Sequence, residues 1–245
     1  KRQILRRQPA ADVYNSVIIP DLEDAIAGLD AVIVDGRASK YAAQGMLGKV
    51  LVQMGDYSKA ETHLAAVVNG GDAVGISLQA DFSTIFGVDN DLNSEIIYAT
   101  QISSSISDEY GFSEFWSWSG GLDTKSLEPL DQDLVDAFEA SPGDLRRAVT
   151  IDTSIMASPK FPQTGGPDHD WIELRLADVI LLYAETLNEN GNTSGALTEL
   201  DKIRTRAGLA GSTASSQAEV RQAIQDERRL ELSLIHISEP TRLEP

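Results

Sequence analysis

The residues best suited to ligand binding in this sequence are five aromatic residues within one short stretch. Residues 103–124 are rich in Ser and Gly and show neither helical nor strand periodicity. An exposed aromatic plane can stack on the apolar C–H face of a sugar ring, although aromatic rings also fill protein cores, and both readings stay open. Trp116 and Trp118 are two residues apart, so they share a face in an extended segment. We predict glycan stacking by Tyr110, Phe112, Phe115, Trp116 and Trp118.

A second set of residues places charge in an otherwise apolar pattern that we interpret as a helix. Arg175, Asp178 and Glu185 are spaced by three and seven residues, so they share one helical face. Catalytic carboxylates can have this spacing, but an unpaired buried charge is very costly, which favours internal ion pairs. We therefore predict no catalytic residue here. The residues predicted to take part in structural charge pairing are Arg175, Asp178, Glu185, Arg204, Arg206 and Arg228.

Two acidic motifs give only weak indications of metal binding. Residues 89–95 carry acidic or amide side chains at every second position, but the central Gly and the bidentate Glu of an EF-hand are missing, which favours a turn. Asp168, His169 and Asp170 lie in a Pro/Gly-rich loop, where one histidine between two acids is usually solvated. The chain has no cysteine, which excludes disulfides and thiolate ligands. We predict no metal and no cofactor.

Composition limits the classes of partner. The chain of 245 residues has a formal net charge of −18, which argues against nucleic-acid binding because phosphates require a basic surface. No run approaches the roughly 20 apolar residues of a membrane span. The length is sufficient for a substantial buried core.

Helical periodicity predicts two hairpins of similar pattern. The first has helices at 40–54 and 58–68, and the second lies within 171–209, where a helix, a turn at 190–192 and a second helix follow one another. Small and large apolar positions coincide as in tetratricopeptide repeats, whose helix pairs are stable only when stacked on others. The coinciding pairs are Gly48 with Ala184, Leu51 with Leu187, Gly55 with Gly191, Ala60 with Ala196, Leu64 with Leu200, and Val67 with Ile203.

The remaining elements are shorter and less regular. We predict a helix from Asp12 to about Leu29, with a kink or a new start at Pro20. Strands are expected at 76–78 and 95–101, a turn of helix near Phe82, a short helix at 130–140 capped by Asp131 or a neighbour, and a final helix at 218–232. Ser39 is the predicted N-cap of the helix that begins at Lys40, and Ser215 or Ser216 that of the last helix.

Six segments together resemble the SusD/RagB family. The resemblance implies a mainly α, SusD-like fold, in which tetratricopeptide-like helical hairpins support an irregular, loop-rich ligand-binding insertion with a few short strands. It also implies that an N-terminal part of the family's domain precedes this fragment. The segments are VYNSVIIPDLEDAIAGL at 13–29, AAQGMLGKVLVQMGDYSKAETHLAAVV at 42–68, NSEIIYATQ at 93–101, WIELRLADVILLYAETLNENGN at 171–192, ALTELDKIRTRAGL at 196–209 and EVRQAIQDERRLEL at 219–232.

The resemblance carries expectations about domains and function. Residues 1–70 would hold the first hairpin, 71–170 the aromatic-containing insertion, and 171–232 the second hairpin with the terminal helix. Members of the family are outer-membrane lipoproteins of Bacteroidetes that bind glycans, or sometimes peptides, at the cell surface without catalysis. We therefore expect an oligo- or polysaccharide ligand, a SusC-like TonB-dependent transporter as partner, and a lipid anchor outside this fragment.

Two alternatives remain from the residues alone. An intracellular tetratricopeptide scaffold would bind a protein partner, but it predicts more repeats in tandem than the two separated pairs seen here. A glycoside hydrolase would need a pair of carboxylates, and in the aromatic-rich region only Glu109, Glu114 and Asp123 are available.

The pattern of the family ends after Leu232. The next residues read SLIHISEPTR, which matches the in-frame translation of a transposase adapter used in sequencing libraries (TCT CTT ATA CAC ATC TCC GAG CCC ACG AGA). We expect residues 233–245 to be a disordered sequencing-adapter artefact with no evolved role.

Overall fold

The computed structural model describes residues 8–34, 36–103, 105, 130–154, 158–160 and 170–233. Within these ranges the chain is mainly helical and contains two short strands, which confirms the predicted fold class. None of the helices in the described ranges is long and apolar enough to span a membrane. Residues 234–245 lie outside the described part, so their interpretation as an adapter artefact stays a prediction, as does the division into three regions.

The chain begins with a helical rod that changes its winding before Pro20. The rod consists of α1 (Ala10–Val13), a π-helical turn (Tyr14–Ile18) and α2 (Ile19–Gly28). Pro20 has no N–H to donate to the preceding turn, so the regular hydrogen-bond ladder is interrupted there, and a π turn is one way to accommodate the interruption. The predicted break at Pro20 therefore appears as a change of helix type within a continuous rod.

The two predicted hairpins are present and correspond helix for helix. The first joins α3 (Lys40–Gln53) to α4 (Tyr57–Gly70), and all four helices of the two hairpins contain 14 residues. In each turn a glycine adopts a left-handed conformation, Gly55 at φ +77° and Gly191 at φ +87°, which a glycine reaches at no steric cost. The second hairpin joins α7 (Leu176–Glu189) to α8 (Thr193–Arg206).

The hairpins stack directly on each other although more than a hundred residues separate them in sequence. Helix α4 packs on α7, α2 packs on α3, and the last helix, α9 (Gln217–Leu232), packs on α7 and α8. The stack buries one aliphatic core, and this neighbourhood supplies the support that an isolated helix pair lacks. Fully buried members of this core include Leu47, Leu64, Leu181, Leu200 and Ile203.

Short irregular elements connect the hairpins. Strand β1 (Ile96–Thr100) pairs antiparallel with β2 (Trp171–Arg175). The other elements that the structure describes between α4 and β2 are 3₁₀ turns at Gly71–Val74, Phe82–Thr84 and Val88–Asn90, then α5 (Gln132–Glu139) and α6 (Arg147–Thr150).

Two sequence predictions about strands are wrong. Residues 76–78 form no strand, although Ser77 N–H donates to the carbonyl of Ser94 at 2.9 Å. Residues 171–175 form β2 and not the start of a helix, because Ile172 and Leu174 alternate with half-buried neighbours at period two. Arg175 therefore ends a strand and stands at the N-cap of α7, so it does not share a helical face with Asp178 and Glu185.

The predicted caps are confirmed. The Ser39 hydroxyl accepts from Ala42 N–H at 3.2 Å, and the Asp131 carboxylate accepts from Asp133 N–H at 2.9 Å. Ser216 forms a reciprocal capping box with Glu219. Backbone and side-chain hydrogen bonds from Ser216 and Ser215 lower the pKa of Glu219 to about 2.

Candidate functional site

The five predicted stacking residues, Tyr110, Phe112, Phe115, Trp116 and Trp118, lie outside the described residues. The described chain on either side of them is well anchored. Beyond β1, the Ile102 N–H donates to the Asp170 carboxylate at 3.0 Å, next to the start of β2. Leu130 is buried against Phe138 and Leu230. The stretch that contains the aromatic residues is therefore attached at both ends to the folded part of the chain.

Where β1, β2 and α9 meet, four charged side chains form the centre of a buried ion network. Arg175 donates to Glu95 at 2.8 Å, and it also contacts the carboxylate of Glu231 and donates to its backbone carbonyl. Arg206 donates to the same two carboxylates at 2.9 Å and 2.5 Å. Arg175, Glu95 and Glu231 are all fully buried. Two guanidinium groups and two carboxylates thus neutralise one another out of contact with water.

The network extends through Arg146 towards the middle of α9. Arg146 makes a bidentate contact with Asp144 at 2.9 and 2.7 Å, and it also binds Glu231 at 2.9 Å and Glu227 at 2.6 Å. Burial alone would lower the pKa of Arg146, but its hydrogen bond to Asp144 and the nearby carboxylates raise it above its usual range. Arg204 reaches Glu227 from the outer side at 3.1 Å.

Glu231 is the acid that three arginines share. Burial would raise its pKa, but the positive charges of Arg175, Arg206 and Arg146 outweigh burial and hold the pKa well below its usual range. Such a carboxylate stays ionised and has no proton to give at neutral pH. Glu227, by contrast, has a raised pKa because burial outweighs its contacts with Arg146 and Arg204.

A lysine and two phenylalanines complete this region. Lys160 is 1% exposed, and its ammonium nitrogen donates to the Ser233 carbonyl at 2.8 Å. The same nitrogen lies 5.1 Å from the ring centroid of Phe82 and 5.0 Å from that of Phe86. Burial, followed by the positive charge of Arg175, lowers the pKa of Lys160 well below its usual value.

The ends of three basic side chains surround the ring of Phe82. Besides Lys160, the guanidinium carbons of Arg206 and Arg175 lie 5.3 and 5.9 Å from its ring centroid. The Nε–H groups of both arginines are buried without a hydrogen-bond partner among the described residues. The electron-rich face of Phe82 offers these cations a weak electrostatic partner. The network is thus a buried structural centre whose charged groups bind one another.

A cleft of about 310 Å³ lies beside β1. We call it the edge cleft. It is lined by Ile33, Gly36, residues 74–76 and 92–94, and four consecutive residues of β1 from Ile96 to Ala99. Residues 89–95, the predicted turn, border it, and the Asn93 amide bonds there to the carbonyls of Ile85 and Asn90 at 3.1 and 2.8 Å. Across the described ranges, no cluster of His, Asp or Glu is arranged to hold a metal ion.

Comparison with known proteins finds a family match for the C-terminal part of the described chain. The model of the SusD family matches residues 146–234, which include β2, α7, α8, α9 and most of the ion network. The SusD-like protein P2 of Formosa agariphila is 26% identical over 94% of this chain and 55% of its own length. Residues 146–234 thus match the SusD family, and the chain as a whole is similar to a SusD-like protein.

Solved structures show the SusD-like fold. A laminarin-binding SusD-like protein superposes with a TM-score of 0.72 at 26% identity, covering 94% of this chain and 59% of its own. A putative sugar-binding protein from Bacteroides vulgatus gives a TM-score of 0.78 at 23% identity, covering 92% and 52%. Surface glycan-binding protein A from Bacteroides uniformis gives 0.70 at 21%, covering 95% and 57%. The chain thus spans little more than half the length of these relatives.

The residues predicted to pair are distributed over two places. Arg175, Arg206 and Arg204 take part in the ion network. Asp178, fully buried in α7, instead contacts Lys49 of α3 at 3.0 Å and Arg228 of α9 at 2.8 Å. Glu185 is buried in α7 at 8% exposure.

The acidic partners were not predicted from the sequence. Glu95 was assigned to an acidic turn and to the start of a strand, and Glu231 was assigned only to the last helix. A local signal exists, because Glu231 stands between Leu230 and Leu232, and Arg175 between Leu174 and Leu176. A charged residue with large apolar neighbours on both sides indicates burial with a partner.

Proposed function

We propose that this chain is part of a non-catalytic protein that binds glycans at the cell surface and delivers them to a TonB-dependent outer-membrane transporter. The observation that carries the proposal is the similarity, at 26% identity over 94% of this chain, to a protein named as laminarin-binding. Surface glycan-binding protein A and the putative sugar-binding protein share the fold. The transporter partner, the surface location and a lipid anchor are expectations that come with the SusD/RagB family.

The aromatic stretch is our proposed glycan site. Its five rings are the densest group of aromatic residues in the sequence, and stacking against them requires no charge on the ligand. The anchoring of the flanking chain at Ile102 and Leu130 supports the proposal, because a binding loop works best when a rigid scaffold holds its ends.

Binding without catalysis is supported by the state of the buried acids. In the ion network each carboxylate contacts at least one arginine, and the pKa of Glu231 is lowered. A glycosidase needs one carboxylic acid that is protonated and positioned to reach the glycosidic oxygen. Glu227 has a raised pKa, but its contacts with Arg146 and Arg204 occupy it within the interior.

Affinity electrophoresis with laminarin as the probe tests the proposal. We expect the wild-type chain to be retarded in a laminarin gel and to release no reducing sugar. The double variant Trp116→Ala, Trp118→Ala should lose most of the retardation, since each buried aromatic contact contributes about 0.5–1.5 kcal/mol beyond area burial. Tyr14→Ala, in the N-terminal π turn, is the matched control and should migrate as wild type. Retardation that persists in the double variant would contradict the assigned site, and release of reducing sugar would indicate a hydrolase.

A further inference from the structure

Two Asn-Gly pairs occur in the sequence, Asn69 with Gly70 and Asn190 with Gly191. Asparagine is a thermolabile residue, and it is most reactive before glycine, because no Cβ on the next residue hinders the backbone nitrogen there. The first pair lies within the helix α4, whereas the second lies in the exposed turn between α7 and α8. The turn is therefore the more accessible place for a chemical modification.

The side chain of Asn190 joins the two hairpins. Its amide nitrogen donates to the Tyr57 carbonyl at 3.2 Å and to the Glu61 carboxylate at 2.6 Å. Both acceptors belong to the beginning of α4 in the first hairpin, whereas Asn190 follows the end of α7 in the second. Met54, the aligned residue in the first hairpin, has no amide to offer. One amide group thus uses both of its hydrogens to hold the second hairpin to the first.

The folded backbone keeps the two reacting groups of this pair apart. The ψ of Asn190 is 4°, which eclipses the Gly191 nitrogen with the Asn190 nitrogen and turns it away from the Asn190 side chain. The Gly191 N–H is also engaged, since it donates to the Asn188 carbonyl at 3.0 Å. Attack on the side chain therefore requires rotation about the Cα–C bond of Asn190 and loss of that hydrogen bond, so the turn must open first.

We propose that Asn190 is a site of spontaneous deamidation, and that its contacts with Tyr57 and Glu61 slow the reaction. When the turn opens, the Gly191 nitrogen loses its proton and attacks the Asn190 Cγ. A cyclic succinimide forms, and the Asn190 amide nitrogen leaves as ammonia. Water then opens the ring at either carbonyl, which gives aspartate or isoaspartate. The net change consumes one water and releases one ammonia, and it needs no oxidant, reductant or enzyme.

The product is incompatible with the contact that held the asparagine. An aspartate at position 190 presents a carboxylate to the Glu61 carboxylate and to the Tyr57 carbonyl, and neither partner has a hydrogen to share with it. Two attractions therefore become repulsions. Isoaspartate also lengthens the backbone by one methylene, directly before a glycine that holds a φ of +87°. Deamidation thus weakens the junction between the two hairpins.

Peptide mapping by mass spectrometry on the full 245-residue chain measures the reaction. In guanidinium at mildly alkaline pH, Asn69 and Asn190 of the unfolded chain should deamidate at similar rates. In the folded chain both should react slower by about tenfold or more, because the reaction requires local opening. Glu61→Ala should accelerate the folded chain at Asn190 by about fivefold, the effect of one lost hydrogen bond on an opening equilibrium, and leave Asn69 unchanged. Glu61→Gln keeps an acceptor and should react as wild type.

Thermal unfolding of variants measures the consequence of the modification. Asn190→Asp, which has the same side chain as one product, should lower the Tm by about 2–4 °C. Adding Glu61→Gln should restore most of this loss, because the glutamine amide donates to the new carboxylate. Asn192→Asp is the matched control, since it adds the same charge to the same turn at the N-cap of α8. Aspartate and asparagine cap helices about equally well, so this variant should melt as wild type.

Several results would overturn the proposal. An unchanged or slower reaction at Asn190 in Glu61→Ala would show that Glu61 does not hold the reaction back. Acceleration at Asn69 as well would show that the variant loosens the whole fold and not this contact. An unchanged Tm in Asn190→Asp, or no recovery when Glu61→Gln is added, would show that the amide does not join the hairpins. None of these measurements depends on glycan binding.

Discussion

Ser39 precedes α3 in the first hairpin, and Arg175 occupies the equivalent place before α7 in the second. Ser39 caps its helix by accepting from the Ala42 N–H. Arg175 makes no side-chain cap and directs its guanidinium to Glu95 and Glu231. The two hairpins nevertheless have helices of equal length. Helix length in this repeat is therefore set by the apolar positions and the turn, and the cap position is available for another role.

The same contrast recurs further along the helices. Ala42 of α3 aligns with Asp178 of α7, and Val52 aligns with Asn188. Asn188 exchanges hydrogen bonds with Gln217 at the start of α9, at 2.9 and 2.7 Å. Asp178 contacts Arg228 further along α9. The polar substitutions in the second hairpin thus hold the terminal helix.

The largest effect is expected where the aligned cap positions differ most. Arg175→Leu leaves Glu95 and Glu231 buried with one arginine fewer. The free energy of unfolding, measured in urea, should therefore be about 3–5 kcal/mol lower than that of wild type. Ser39→Ala, the matched change in the first hairpin, should cost only about 0.5–2 kcal/mol, because it removes one cap. An equal decrease in the free energy of unfolding for the two variants would show that Arg175 contributes no more than a helix cap does.

A second test exchanges the small residues at the helix crossing. A Cβ on Gly48 would lie 2.4 Å from a methyl carbon of Leu64, so Gly48→Ala should cost about 1–3 kcal/mol through overpacking. Ala184, the aligned residue, is fully buried. Ala184→Gly should cost about 1 kcal/mol, from helix propensity together with a small cavity. Thermal unfolding of both variants measures this, and a stabilised Gly48→Ala chain would mean that Leu64 can move aside.

The pH dependence of stability should distinguish Lys160, beside the ion network, from a lysine in the hairpins. The pKa of Lys160 is lowered in the folded protein. Below the usual pKa near 10.5 the unfolded chain therefore binds a proton at Lys160 that the folded protein binds less tightly, which favours unfolding. This destabilisation decreases as the pH rises towards 10.5. Wild type should therefore gain stability between pH 8 and 10, relative to Lys160→Met, in urea unfolding. Lys59→Met is the control, since Lys59 is a surface residue whose pKa is raised beside Asp56. Parallel pH profiles of wild type and Lys160→Met would show that Lys160 is charged in the fold.

The sequence predicted local structure better than it predicted partners. The hairpins, their glycine turns and the Ser39, Asp131 and Ser216 caps follow from periodicity and from contacts within four residues. The ion network joins Arg175 to residues 80 and 56 positions away. No local pattern specifies which acid will meet which arginine over such distances, because the packing of α9 on α7 decides it. Strand β2 was missed for a related reason, because it forms by pairing with the distant strand β1 and runs directly into the following helix.

The smallest expected difference is at the helix starts after the two turns, where the hairpins should behave alike. Asp56 accepts from Lys59 N–H at 3.3 Å, and Asn192 accepts from Gly195 N–H at 3.0 Å. Both residues have nearly the same backbone conformation, with φ and ψ of −87° and 65° against −92° and 64°. Asp56→Ala and Asn192→Ala should each lower the free energy of unfolding by about 1 kcal/mol. The two losses should agree within about 0.5 kcal/mol, because the additional ion pair of Asp56 with Lys59 is exposed and contributes little. A larger gap would mean that the tight turns, unlike the helices they join, are not equivalent in the two copies.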